Sequence, residues 1–256
     1  MKFDIVIMAY NCTKTISRAL DSLVQQTNQE FDVIIVDDDS IDDVQSIVLS
    51  YTNLLNIRYV RNEKNLGVTM ARQRGMDEVT AEYFAFLDAD DILLPNAIEI
   101  WKREIELSKP DVIITPFAYL KNNITIRQVP IAMVACHGKV YSTEFLKRYG
   151  IREHEKVKCV EDSYLNWQVF DLAKKVSMLT DIVYLQIHTE GSVTTTTKWR
   201  KHQFTDMWSA NILAKQHILK FKTNPLQNYV DIQKNLHNML CNEEENHKKF
   251  INNIKL

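Results

Sequence analysis

The stretch FAFLDADDILLP, residues 84–95, changes character within a few positions. An apolar run fit for burial ends in Asp88, Asp90 and Asp91, and apolar residues resume at once. Carboxylates this close repel one another, so the folded chain must set them against solvent or against a cation. In extended chain, residues i and i+2 face the same way, so Asp88 and Asp90 can address one ion while Ala89 points elsewhere. Two readings stand at this point. One is an acidic surface turn before a helix that has Pro95 in its first turn, with Asp91 as a cap. The other is one end of a site for a hard divalent ion such as Mg2+ or Mn2+, which takes oxygen ligands.

The same change from apolar to polar occurs twice upstream. FDIVIM (3–8) runs into Ala9, Tyr10 and Asn11, and FDVIIV (31–36) runs into Asp37, Asp38, Asp39 and Ser40. Between these strands Ile16, Leu20, Leu23 and Val24 recur at helical spacing after a Thr13 cap, and Val44, Ile47, Val48 and Tyr51 mark a second helix. IRYVR (57–61) reads as a strand, 67–79 as a helix, 83–88 as a strand, 95–107 as a helix and 111–115 as a strand. Strands that are apolar throughout, alternating with amphipathic helices, predict an α/β fold with a mostly parallel sheet covered on both faces. Such sheets bind ligands at the carboxyl ends of their strands, so MAYN, VDDDS and DADD are expected along one edge.

Beyond residue 116 the pattern loosens. Residues 124–136 read as one or two strands, 162–175 as a helix and 176–188 as a strand, and the chain then turns helical and rich in Lys and Asn. A small C-terminal helical appendage is expected over 196–256. With 256 residues, 45% of them apolar, the chain suits one substantial domain, and a net charge of -2 gives no global signature of a nucleic-acid binder. Cys12, Cys136, Cys159 and Cys241 have no metal-ligand spacing and read as buried thiols of a reducing compartment. The N-terminus fits no secretory signal and no stretch approaches about 18 apolar residues, so a cytoplasmic protein is expected. Peripheral membrane contact stays open, since KWRKHQF (198–204) and HILKFK (217–222) are basic and aromatic, although solvated helix faces are the plainer reading.

Six elements in order, IMAYN, VDDDS, NLGVTMARQRG, LDADD, VEDSYLNW and EGSVTT, resemble the motifs of family 2 glycosyltransferases with the GT-A fold. The resemblance covers residues 3–195. It implies a GT-A domain over 1–195, with 1–115 as the nucleotide-sugar-binding half and 116–195 as the half that binds the acceptor and carries the base. By the same resemblance Met8, Ala9, Tyr10 and Asn11 line the nucleotide, and Asp38 hydrogen-bonds the base, most simply N3–H of uracil. Asn65 and Arg72 belong near the nucleotide-sugar, Asp88 and Ala89 approach the ribose or sugar, and Asp90 with Asp88 holds the metal. His188 could reach the metal or a phosphate. Asp162 is implied as the general base with Glu161 beside it. The chain departs from the pattern at Met8, where Pro is frequent, at Asp39, where Gly is frequent, and at His137 and Gly138, which replace the first residues of an N-K-L-Y stretch.

The implied activity is metal-dependent, inverting transfer of a sugar from a nucleotide-sugar, with UDP as the expected carrier, to a hydroxyl of an acceptor of undefined class. A departing diphosphate gathers negative charge that Mn2+ or Mg2+ can stabilise, and a carboxylate can take the proton of the attacking hydroxyl. By their residues alone, Asp162 also reads as a helix N-cap, His188 as a core or edge histidine, and Trp101 as core. Three rivals accompany this reading. A sugar-1-phosphate nucleotidylyltransferase would need a glycine-rich triphosphate loop that AYNCTK lacks. A catalytically degenerate nucleotide-sugar binder would keep the motifs without turnover. A receiver-like module would not need the second acidic centre at Glu161 and Asp162.

Overall fold

Strand pairing begins where the sequence is most apolar. In the computed structural model, which describes residues 1–121, 124–129, 135–158, 160–188 and 197–221, β1 (Phe3–Ala9) lies parallel to β2 (Asp32–Asp37), with Ile5 opposite Val33 and Ile7 opposite Ile35. On its other side β1 pairs in parallel with β4 (Tyr83–Phe86), and β2 pairs in parallel with β3 (Ile57–Arg61). Side chains of β1 alternate between two apolar cores. Phe3, Ile5 and Ile7 join residues of α1 (Ile16–Val24), α2 (Val44–Ser50) and α4 (Ala97–Ser108). Val6 joins residues of α3 (Val68–Glu78), α5 (Thr143–Tyr149) and α6 (Glu161–Leu172). Burial on both faces is why these strands show no apolar–polar alternation in sequence. Gly75 lets α3 lie close against the sheet, since a Cβ there would stand 2.4 Å from Val6 Cγ1.

The large sheet has seven strands in the order β10-β6-β9-β4-β1-β2-β3, with β6 at Val112–Ile114, β9 at Lys139–Ser142 and β10 at Val176–Met178. It is mostly parallel, but β9 runs antiparallel to both β4 and β6. A second sheet of four strands, β5-β11-β7-β8, comprises β5 (Ile92–Leu93), β7 (Phe117–Lys121), β8 (Ile124–Val129) and β11 (Tyr184–Ile187). Helix α7 (Thr197–Ile218) places Ala210 and Ala214 in a small core with Val157, Val160, Tyr164 and Trp167, so its described part packs on the domain. Among the described residues no helix is long and apolar enough to cross a membrane.

Several local expectations are corrected. The single strand expected over 176–188 is two strands in different sheets, because its parallel partner also breaks: β10 follows β6, while β11 follows β7. The strand expected over 83–88 stops at Phe86, and the helix expected from Pro95 begins at Ala97 with Asn96 as its N-cap, after β5. The N-cap of α1 is Thr15, not Thr13. Trp101 is fully buried as expected and stacks on Phe3, with ring centroids 5.9 Å apart. Cys12 and Cys136 are free thiols, whereas Cys159, Cys241, the EGSVTT motif and the chain beyond 221 lie outside the described residues, as do the side chains of Trp199 and Trp208.

Candidate active site

The carboxyl ends of β1 and β2 are tied into one unit. Asp38 N–H donates to Ala9 O at 2.8 Å, Asn11 N–H donates to Ser40 Oγ at 3.0 Å, and Ile41 N–H donates to Asn11 Oδ1 at 2.8 Å. Asn11 and Asp39 have φ of +49° and +62°. The left-handed backbone at 39 explains why a glycine is at home in that position. Asp37 is buried and accepts from Ser40 N–H at 2.8 Å, from the Tyr59 hydroxyl and from Arg61 at 3.0 Å. Burial pushes its carboxyl upward, but the hydrogen bonds of Ser40 and Tyr59 and the charge of Arg61 hold it below the usual carboxylate range.

Asp38 is also buried, and its carboxylate is largely committed within the chain. It accepts from Asn62 Nδ2 at 2.8 Å, Leu66 N–H at 2.9 Å and Gly67 N–H at 2.8 Å, which fixes the loop leading into α3. A carboxylate has about four acceptor positions, and three of those on Asp38 are taken within the chain. Tyr10 is half exposed at 50%, Asn65 is exposed and Met8 is partly buried along this edge.

At the end of β4 the acids divide their work. Asp91 is buried and accepts from the Tyr184 hydroxyl at 2.7 Å and from Ile187 N–H at 2.8 Å, so it joins the turn to β11 and is not a helix cap. Asp88 is partly exposed, its N–H donates to the Tyr184 hydroxyl at 3.2 Å, and its Oδ2 lies 3.1 Å from His137 Nε2. His137 Nε2 is also 3.7 Å from Asp91 Oδ2. Among the described residues Asp88, Asp91 and His137 form a group whose candidate ligand atoms all lie within 4.8 Å of one another. Burial and then the charge of Asp88 push Asp91 up to about 8. Burial also works upward on Asp88, but the hydrogen bond and charge of His137 outweigh it and hold Asp88 below its ordinary value.

A second acidic centre forms at the start of α6. Arg72, buried on α3, points Nη2 at Asp162 Oδ1 (2.6 Å) and Nη1 at Glu153 Oε1 (3.4 Å) and Glu161 Oε1 (3.5 Å). Its guanidinium also stands 5.4 Å from the centre of the Phe86 ring. Val160 is the N-cap of α6, which places Glu161 and Asp162 in the first turn and removes the N-cap reading of Asp162. Acidic residues there complement the helix dipole. One cation facing three carboxylates leaves the most buried of them short of compensation. Burial raises Glu153 to about 8 against the pull of Arg72, and Glu161 is raised to about 6, again by burial first. The buried Lys139, on β9 below, is lowered to about 8 by desolvation.

Consecutive residues join the two centres. Cys136 N–H donates to Asp162 Oδ2 at 3.2 Å, and the next side chain, His137, meets Asp88. Gly138 makes this join possible: its φ is +65°, its carbonyl accepts from Thr115 N–H at 2.8 Å, and a Cβ would lie 2.7 Å from Thr115 O.

The sequence-derived candidates are thus distributed around one edge. Asp162, Glu161 and Arg72 come together directly, and Asp88 faces His137. Asp90 is partly buried and its carbonyl accepts from Arg18, but it is not in the group formed with His137. Ala89 is buried beside it. His188 lies at the end of β11 with Nδ1 2.7 Å from the Tyr119 hydroxyl, also outside that group. Sequence reasoning did not single out Glu153 or Tyr184, gave Asp91 only a capping role and noted His137 only as a departure. The one available signal was His137 itself, a histidine before a glycine in a segment where other residues are usual.

Residues 4–160 match the family described as Glycosyl transferase family 2. Among similar proteins are the poly(ribitol-phosphate) beta-N-acetylglucosaminyltransferase TarS of Staphylococcus aureus, 28% identical over 72% of this chain and 35% of TarS, and the amylovoran biosynthesis glycosyltransferase AmsB of Erwinia amylovora, 31% identical over 70% of this chain and 65% of AmsB. The crystal structure of S. aureus TarS 1-349 in complex with UDP-GlcNAc superimposes with a TM-score of 0.78 at 25% identity, covering 89% of this chain and 69% of that one. The chain spans about a third of the length of the first curated relatives it matches. Its mixed α/β architecture is the GT-A fold. With the family match spanning more than half of its length, the chain belongs to glycosyl transferase family 2.

Proposed function

We propose that this chain moves a sugar from a UDP-sugar to a hydroxyl of an acceptor, with inversion at the anomeric carbon and with Asp162 as general base. The reading rests above all on the join at residues 136 and 137, which sets an acidic strand end beside an Arg-held carboxylate at a helix N-terminus. A leaving diphosphate and an attacking hydroxyl need two such centres within reach of one substrate. The similarity to a protein seen with UDP-GlcNAc supports uridine as the base.

Residues 1–115 would hold the donor, with Tyr10 and the remaining acceptor position of Asp38 near the base. Residues 116–195 would present the acceptor, and 196–256 would extend the domain. Arg72 positions Asp162 through their ion pair and holds Glu161 beside it. Asp162 takes the proton of the attacking hydroxyl as the new glycosidic bond forms and the sugar–phosphate bond breaks. The carboxylate oxygens at Asp88 suit a hard divalent ion, Mn2+ or Mg2+, and the motif resemblance adds Asp90 and His188 as candidate ligands. When bound, such an ion offsets the charge that grows on the departing diphosphate.

A thermal-shift series of nucleotides and nucleotide-sugars, with and without Mn2+, followed by hydrolysis of each stabilising donor, tests the reading. A ligand that binds the native state raises its apparent stability. Metal-dependent stabilisation by a UDP-sugar, with turnover lost in Asp162→Asn, is the expected result. Binding without hydrolysis or transfer would leave a degenerate nucleotide-sugar binder, and no stabilisation by any nucleotide would overturn the donor site.

A further inference from the structure

We infer that His137 is a metal ligand, completing with Asp88 and Asp91 a three-residue site for a divalent cation that accepts imidazole nitrogen, such as Mn2+. The inference rests on the proposed metal dependence and names a ligand that the motif resemblance did not imply, the histidine implied there being His188.

Two segments distant in sequence converge on the site. Asp88 and Asp91 leave the end of β4, and His137 arrives on the segment before β9. Nε2 of His137 is the nitrogen aimed at the acids, 3.1 Å from Asp88 Oδ2 and 3.7 Å from Asp91 Oδ2. The ring is held between Phe117 and Tyr184, each with its centroid 5.0 Å away, and its backbone is fixed by the Gly138–Thr115 bond. Asp91 has outer partners of the kind that orient metal-binding carboxylates: Ile187 N–H on Oδ1 and the Tyr184 hydroxyl on Oδ2. Asp88 has a side chain 41% exposed, which leaves the site open on the side where a substrate phosphate could enter.

The alternative histidine is differently engaged. His188 Nδ1 is 2.7 Å from the Tyr119 hydroxyl, and the residue is not in the Asp88 group. Chemistry then sets selectivity. An imidazole ligand favours Mn2+ over Mg2+, which prefers an all-oxygen shell with retained water.

The test uses the full chain without donor or acceptor. Mn2+ is titrated in, alone and with UDP, while the free-ion electron paramagnetic resonance signal reports binding, and electron spin-echo modulation reports directly bound nitrogen. Parent protein should bind Mn2+ with nitrogen modulation, His188→Gln should keep that modulation, and His137→Asn should lose it while affinity falls about tenfold or more. The Mg2+ affinity, read by competition, should fall much less. If His137→Asn retains the modulation and the affinity, His137 is not a ligand, and the bound nitrogen comes from another residue, with His188 the first to test beside Asp88 and Asp90. If the parent binds no Mn2+ even with UDP, the inference and the metal reading fall together. Should His137→Asn fail to fold by its melting curve, parent and His188→Gln decide alone: modulation that vanishes in His188→Gln overturns the inference.

Discussion

Arg72 Nη2 lies 2.6 Å from Asp162 Oδ1, and the guanidinium that makes this contact is almost fully buried. A residue implied as donor-side positive charge is thereby engaged with the proposed base and its two acidic neighbours. Arg72→Gln should destabilise the fold at pH 7 by about 3–5 kcal/mol, the range for stranding buried charge. Urea unfolding at two pH values would check it. The deficit should shrink at pH 5, where the stranded carboxyls can take protons, and an equal deficit at both values would show that the cost lies in packing.

Glu153 gives a pH signature of stability. Its folded value of about 8 exceeds the ordinary 4.5, so the native state binds more protons than the unfolded state between these values. Its contribution is therefore present at low pH and is lost as pH rises through about 8. Glu153→Gln should lose less stability than the parent between pH 5 and 8, by more than about 1 kcal/mol. Parallel denaturant curves for both proteins would refute the assignment.

Asp162→Asn should lower transfer by about 10²–10⁴, the usual contribution of a general base. Donor binding, measured by calorimetry with a UDP-sugar, should persist. Near-parent turnover would move the base role to another residue.

Asp38→Ala removes the acceptor for Leu66 N–H and Gly67 N–H. A loss of about 1–3 kcal/mol is expected from the freed donors, together with weaker uridine nucleotide binding. Weaker nucleotide binding with unchanged stability would mean that the carboxylate serves the ligand alone.

Gly138→Ala introduces a Cβ 2.7 Å from Thr115 O at a φ of +65°. The strain should cost about 1–3 kcal/mol and shift His137 away from Asp88. Mn2+ affinity in this variant should fall along with stability, whereas parent-like affinity would separate the Gly138 turn from the site.

Periodicity and strand-end chemistry were enough to read the first half of this protein. Runs such as FDIVIM and FDVIIV are apolar throughout because both faces are covered, and short loops after parallel strands leave little freedom in where MAYN, VDDDS and DADD can lie. The second half was harder because its strands are short and two of them belong to different sheets. Nothing local in residues 176–188 says that pairing switches partner between Met178 and Tyr184. The acids were legible as acids, but their partners were not. Arg72 meets Glu153, Glu161 and Asp162, and Asp88 meets His137, through contacts between segments 49 to 90 residues apart. Sequence by itself determined the layered fold and the edge where the polar clusters gather, since these follow from local pattern and chain direction. Only the tertiary structure decided which charge faces which, because ion pairs and ligand groups form between residues that the sequence keeps far apart.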